Sequence, residues 1–247
     1  MAMEQTKAKK SRRLSTKGIV LIVVISFLIA CMAVVGVAAI IINNRKSQTS
    51  EYYNQKVATF KEENSRFLKG QIVFLGDSIT DLCPLENYYS DLDKATYNRG
   101  IGGDTTQGVI DRLQVSLYDI APSEIVLMIG TNDVNWRVSN DQIVKNYKYI
   151  LDDIKTNLPE AKLFVMSIIP QNYDLTVQTY VDESNSKIRD INPKINELAV
   201  SHGYTYLDLY SLVVDENTRL NQNYSDDGIH LNEAGFAVWT NLVKPLL

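Results

Sequence analysis

From Gly18 to Ile42 the chain reads "GIVLIVVISFLIACMAVVGVAAIII", 25 residues without one charged side chain. As a helix rising about 1.5 Å per residue, this run reaches roughly 37 Å, enough to cross a hydrocarbon core of about 30 Å with some tilt. Beyond it the pattern changes. Tyr53, Val57, Phe60, Phe67 and Leu68 recur at near-helical spacing among Lys and Glu, which predicts a helix lying on the surface of the domain that follows. From Gln71 onward, apolar runs of strand length alternate with longer amphipathic stretches. Strands are predicted at "IVFLGD" (72–77), "ATYNRGI" (95–101), "EIVLMIG" (124–130), "KLFVMSIIP" (162–170) and "TYLDL" (205–209), and helices at 105–118, 139–157, 181–200 and 233–244. Near-continuous apolar strands separated by helices imply a parallel sheet covered on both faces. The fold class expected is α/β, a three-layer α/β/α sandwich with a five-stranded parallel sheet, and functional groups should gather at the carboxyl ends of its strands.

Charge refines the reading of the apolar run. Residues 1–17 carry Lys7, Lys9, Lys10, Arg12, Arg13 and Lys17 against the single acid Glu4, whereas only Arg45 and Lys46 follow the run closely. Three readings compete. A cleaved signal peptide has an apolar stretch of about 7 to 15 residues, much shorter than this one, although Val37-Ala38-Ala39 offers small residues near a cut. Leu28-Ile29-Ala30-Cys31 resembles a lipobox, but the residues after Cys31 stay apolar. The third reading is an uncleaved single-span anchor with its basic flank in the cytoplasm and the bulk of the chain outside. The expected organisation is a basic tail (1–17), a transmembrane helix (18–42), a linker (43–51) and one domain (52–247).

The whole chain holds 25 basic and 29 acidic residues; without the tail's six bases and one acid, 19 and 28 remain, a net charge of −9. A domain so acidic carries no electrostatic footprint for nucleic acid. The two cysteines, Cys31 in the apolar run and Cys83 beyond it, cannot form a bridge within the domain, so its core alone must hold it.

Candidate chemistry lies where the predicted strands end. The first strand ends in "FLGDSIT", placing Ser78 where a buried strand turns into a helix. The second ends in "NRGIGGDTT", a glycine-rich turn into a helix capped by Asp104 or Thr105, and the third in "IGTND", which brings Asn132 to the same rim. Near the C-terminus, "DDGIH" sets Asp227 and His230 in a loop before the last helix. Acyl transfer by a serine needs such parts: a hydroxyl, an imidazole to take its proton, a carboxylate to orient the imidazole, and donors for the oxyanion. The amides of Ser78 and Gly103 and the side chain of Asn132 could supply three donors.

Taken singly, each element has a plainer reading. Gly-Asp-Ser is an ordinary turn. The turn over 100–105 could cradle a phosphate, but it lacks the lysine of a P-loop. Asn132, Asp227 and His230 could merely cap helices. Their joint occurrence, in order and each at a strand end or helix start, favours the catalytic reading. His202 is expected at a helix end, meeting free carbonyls. Asp77 and Asp133 are expected to hold turns. Trp136 and Tyr173 are candidates either for lining an acyl or sugar pocket or for packing. Two histidines also argue against a zinc-dependent deacetylase, whose metal site would use at least two histidines and a carboxylate.

"GDSIT", "NRGIGGDTTQGVIDRL", "GTND" and "DGIHLN" resemble, in order and separation, the four blocks of the SGNH hydrolase family, also called GDSL esterases and lipases. The second block is similar to that of the platelet-activating-factor acetylhydrolase branch. The resemblance spans roughly residues 52–247 and implies a flavodoxin-like sheet, no cofactor or metal, Ser78 as nucleophile, Gly103 and Asn132 completing the oxyanion hole, His230 as base and Asp227 orienting it. The expected function is an extracytoplasmic, membrane-anchored serine esterase acting on short acyl esters, small-molecule or glycan-borne. A surface acyltransferase and a non-catalytic binding module are the alternatives. The sequence carries no signal of oligomeric state.

Overall fold

The computed structural model describes residues 31–32, 50–172, 174–175 and 181–247. The expected membrane span at 18–42, the two processing sites weighed within it and most of the expected linker lie outside the described residues, apart from Cys31 and Met32. Among the described residues no helix is long and apolar enough to cross a membrane. Thr49–Leu247 makes up one compact unit, and the sheet and the helices around it all belong to that unit.

Five strands, β1 (Ile72–Gly76), β2 (Thr96–Gly100), β3 (Glu124–Met128), β4 (Lys162–Met166) and β5 (Thr205–Leu207), form one sheet in the order β2-β1-β3-β4-β5. Every pairing is parallel. Between and around them run helix α1 (50–64), α2 (Ser78–Asp81), α3 (Leu85–Tyr89), α4 (Thr106–Asp111), α5 (Thr131–Asn135), α6 (Asn140–Asn157), α7 (Val181–Ser201), α8 (Tyr210–Val213) and α9 (Glu233–Val243). The order 2-1-3-4-5 is the flavodoxin-like one. After β2 the chain returns to the other side of β1, so the strand order reverses between β1 and β3, the point at whose carboxyl edge open α/β sheets place their ligands.

Alternation along the strands divides the core into two. Val73 and Leu75 of β1, with Ile125 and Leu127 of β3, face a cluster built with Val109, Ile150, Leu151 and Ile195 from α4, α6 and α7. Ile72, Phe74, Val126 and Met128 point the other way, onto Ile79, Phe236 and Trp239 from α2 and α9. Successive strand residues alternate faces, so a strand buried on both sides is apolar on both; β1 is so along its length and β3 from Ile125 to Met128, after Glu124, which pairs with Lys94 and Lys162. Each fully buried Leu, Ile or Phe contributes on the order of 1.5–3 kcal/mol, which is how a domain without a disulfide is held.

The elements depart from the expected ones at their ends. Each strand stops one to four residues before its apolar run does, because the last residues turn over the rim instead of pairing. The helix expected over 105–118 breaks: Arg112 leaves the helical region (φ −123°, ψ 12°), and a π-helical turn follows at Gln114–Tyr118. The break lets the Arg112 guanidinium turn inward to Asp104, Ser116 and the carbonyls of Gly76 and Arg99, all at 2.8–2.9 Å. Phe67 and Leu68 fall beyond α1; Phe67 stacks on Tyr97 and Leu68 is exposed.

Candidate active site

Ser78 opens α2. Asp77 caps that helix, its Oδ1 accepting from the Ile79 amide at 3.0 Å. The two glycines before and beside this turn allow an approach that a side chain would forbid. A Cβ on Gly76 would lie 2.2 Å from the Met128 carbonyl oxygen, and one on Gly100 would lie 2.1 Å from the Asp81 nitrogen. β1 and β2 therefore deliver their carboxyl ends side by side, with α2 folded tightly over them.

The loop 225–231 brings the imidazole. His230 Nε2 lies 2.8 Å from Ser78 Oγ, across 152 residues of chain, and His230 Nδ1 lies 2.6 Å from Asp227 Oδ2. Asp227 is fixed in turn. Its Oδ1 accepts from the amides of Ile229 and His230 at 2.9 and 2.8 Å and from the Ser225 hydroxyl at 3.4 Å. Partial burial raises the Asp227 carboxyl, but the bond to the His230 side chain and the two amides outweigh it, and the group titrates below its ordinary value. The loop is braced from β4's side: the Asn172 amide donates to the Gly228 carbonyl at 2.8 Å, and Gly228, at φ +79°, has no room for a Cβ against the Asn172 carbonyl.

Gly103 and Asn132 converge on one turn. Ile101 to Asp104 closes with the Asp104 amide donating to the Ile101 carbonyl at 3.1 Å, and Gly103 sits at its third position with φ +78°, the left-handed conformation a type II turn requires. Asn132, near the start of α5, donates from Nδ2 to the Asp104 carbonyl at 2.9 Å. A side-chain amide has two N–H bonds, and this one holds the group against the Gly103 turn. Thr105, rather than Asp104, caps α4, its Oγ1 accepting from the Gly108 amide at 3.2 Å.

Behind the turn lies a buried polar layer. Asp133 accepts from the Thr106 amide and hydroxyl, and Asn146 donates to the same hydroxyl. Asp104 pairs with Arg112 at 2.8 Å, both fully enclosed. Burial raises the carboxyls of Asp104 and Asp133 despite these partners, and pushes Asp77 up to about 7. Asp77 and Asp133 thus hold turns, as their positions suggested. His202 does too: Nδ1 meets the Leu198 carbonyl at 2.7 Å and Nε2 meets Asp152 at 2.9 Å, on the surface at the end of α7.

Trp136 ends α5 and is 59% exposed, so its ring is no core side chain. Tyr173 lies outside the described residues. The pairing of Arg112 with Asp104 carried no signal in the sequence, because an Arg in an amphipathic stretch ordinarily marks a solvated face.

A parallel sheet with a hydrogen-bonded serine, histidine and aspartate at its carboxyl rim is equipment for acyl transfer, and with the family match the protein is a carboxylic ester hydrolase. Residues 74–238 match the family model described as GDSL-like Lipase/Acylhydrolase family, and the chain belongs to that family. It is 28% identical over 183 residues to the platelet-activating factor acetylhydrolase IB subunit alpha2 of Homo sapiens, covering 71% of this chain and 73% of that one. A structure from Streptococcus pneumonia described as a platelet activating factor shares 26% identity with a TM-score of 0.78, over 84% of this chain and 98% of that one. An acetylxylan esterase from Geobacillus stearothermophilus has the same fold at 17% identity and TM-score 0.57, over 71% and 93% of the two chains.

Proposed function

We propose that this chain is an extracytoplasmic serine esterase, held in the membrane by the apolar run at 18–42, that removes short acyl groups, acetyl above all, from small-molecule or glycan esters. The observation that carries the proposal is the continuous chain from Ser78 Oγ through His230 to Asp227, at 2.8 and 2.6 Å. In this reading neutral His230 takes the Ser78 proton as Oγ attacks the ester carbonyl. The Ser78 and Gly103 amides and the second Asn132 N–H stabilise the tetrahedral oxyanion, and the alcohol leaves with the proton from His230. Water, deprotonated by His230, then attacks the acyl-enzyme and releases the acid and free Ser78. Asp227 stabilises the imidazolium in both halves. An acetylhydrolase among the relatives supports a short acyl group, and in the proposed orientation cell-surface glycans would be one source of the alcohol.

The test is hydrolysis of p-nitrophenyl esters, from acetate to a long-chain acyl, by the full chain in mild detergent beside Ser78→Ala. The expected rates are highest on acetate, fall with chain length, and drop by about 10⁴-fold or more in the variant. A folded wild-type protein no faster than Ser78→Ala on every ester would end this reading. Protease shaving of intact cells tests orientation: cleavage of the domain is expected, and full protection would refute the outward-facing topology.

A further inference from the structure

One network beside this site takes no part in the acyl transfer itself. Helix α1 runs along the outside of the β2–α4 turn, and two of its side chains meet Asp81, the last residue of α2. Tyr52 Oη donates to Asp81 Oδ2 at 2.6 Å, and Lys56 Nζ donates to Oδ1 at 2.7 Å. The Gly102 amide donates to the same Oδ2 at 3.1 Å. One carboxylate therefore joins the helix that begins with Ser78, the turn whose next residue is Gly103, and α1. The Asp81 side chain is only 15% exposed, so this pair is shielded more than an ordinary surface bridge.

The other end of α1 grips the same segment. Glu63 and Asn64 accept from the guanidinium of Arg99 at 2.7 and 2.8 Å, and that buried group stacks between the rings of Phe60 and Phe67, 4.3 and 4.8 Å from their centroids. Arg99 immediately precedes Gly100, so α1 holds residues 99–102 at both ends. Tyr53 Oη extends the hold to α4 through the Gly108 carbonyl, at 3.0 Å. The Tyr52 ring lies 3.3 Å from where a Cβ of Gly102 would stand. A glycine pair has more backbone freedom than any other dipeptide, and an oxyanion donor works only when aimed.

We infer that Asp81, clamped by Lys56 and Tyr52, is a positioning residue: it fixes the Gly102 amide and, through it, the direction of the Gly103 amide relative to Ser78. α1 is then a working part of the active site and not only a cover on it. This rests on the reading of Gly103 and Asn132 as oxyanion donors, so the test must separate the two.

The full chain, Asp81→Asn, the double variant Tyr52→Phe/Lys56→Met, and Asn132→Ala would be compared on an ester and its thionoester, with unfolding midpoints measured in parallel. Sulfur accepts hydrogen bonds poorly, so the oxygen-to-sulfur rate ratio reports how well the oxyanion donors engage. The expected result for Asp81→Asn is a kcat reduced about 10- to 100-fold at nearly unchanged KM, with the ratio falling in step. A fall of about tenfold is expected for the double variant, which keeps the test open should Asp81→Asn not fold. If Asn132→Ala lowers the ratio while the folded Asp81 and α1 variants leave it at the wild-type value, the inference is overturned and the oxyanion reading stands. If Asn132→Ala leaves the ratio unchanged, the oxyanion reading fails and takes this inference with it.

Discussion

Replacing Asp77 with Asn should make the protein more stable, by much more above neutrality than in mild acid. Asp77 is fully buried; Oδ1 caps α2 and, among the described residues, Oδ2 has no hydrogen-bond partner. Burial pushes its carboxyl from 3.8 up to about 7; Asp104 and Asp133 add to the rise, and the Ile79 amide and Arg112 oppose it. A folded value above the unfolded one means that the native state binds more protons between these two pH values. Stability contributed by protonated Asp77 is therefore fully present below about 3.8 and is lost as pH rises through about 7. Roughly three pH units at about 1.4 kcal/mol each put the loss on the order of 4 kcal/mol above pH 7. Asn keeps the cap and cannot ionise, so the variant should gain up to about that amount over wild type at pH 8.5 and only about 1.5 kcal/mol at pH 5, where wild type has lost roughly one pH unit's worth. Urea unfolding of both proteins across this range, followed by the fluorescence of buried Trp239, gives the difference directly, and slopes shared with Asp104, Asp133 and Asp227 largely subtract out. A stability difference that is the same at pH 5 and pH 8.5 would refute the assignment.

Three further outcomes are expected. Asp227→Asn keeps the size of the side chain but removes the charge facing His230 Nδ1; kcat on p-nitrophenyl acetate should fall about 10³- to 10⁴-fold, and a loss under tenfold would mean that the backbone orients His230 by itself. Arg112→Met leaves the enclosed Asp104 carboxylate without its cation and should cost about 3–5 kcal/mol in urea unfolding; a cost below about 1 kcal/mol would contradict the role given to the pair. Trp136→Ala, at an exposed ring, should change stability by no more than about 0.5 kcal/mol while raising KM several-fold on an acetylated oligosaccharide. An unchanged KM on that substrate would remove Trp136 from the proposed site.

The α/β class and the positions of the strands were legible because both follow from short-range pattern. A strand buried on two faces is apolar at successive positions, and "IVFLG" and the "IVLM" that follows Glu124 are. Ser78, Gly103, Asn132 and His230 stood out because each follows an apolar run or precedes an amphipathic one, and a parallel sheet collects such positions at one edge. The physics involved reaches only a few residues along the chain.

What joins those positions acts across the chain and was decided only by folding. Ser78 and His230 meet across 152 residues because α9 packs on the sheet face that carries α2, a consequence of strand order and core shape. Arg112 looked like one charge on an amphipathic helix, yet the helix breaks so that its guanidinium can satisfy Asp104 and two rim carbonyls in the interior. The stretch around Tyr53, Val57 and Phe60 read as a helix on the surface, and only docking set Tyr52, Lys56 and the Gly102 amide around the Asp81 carboxylate. A side chain's type tells what bonds it can make, but which partner comes within 3 Å depends on how whole elements pack.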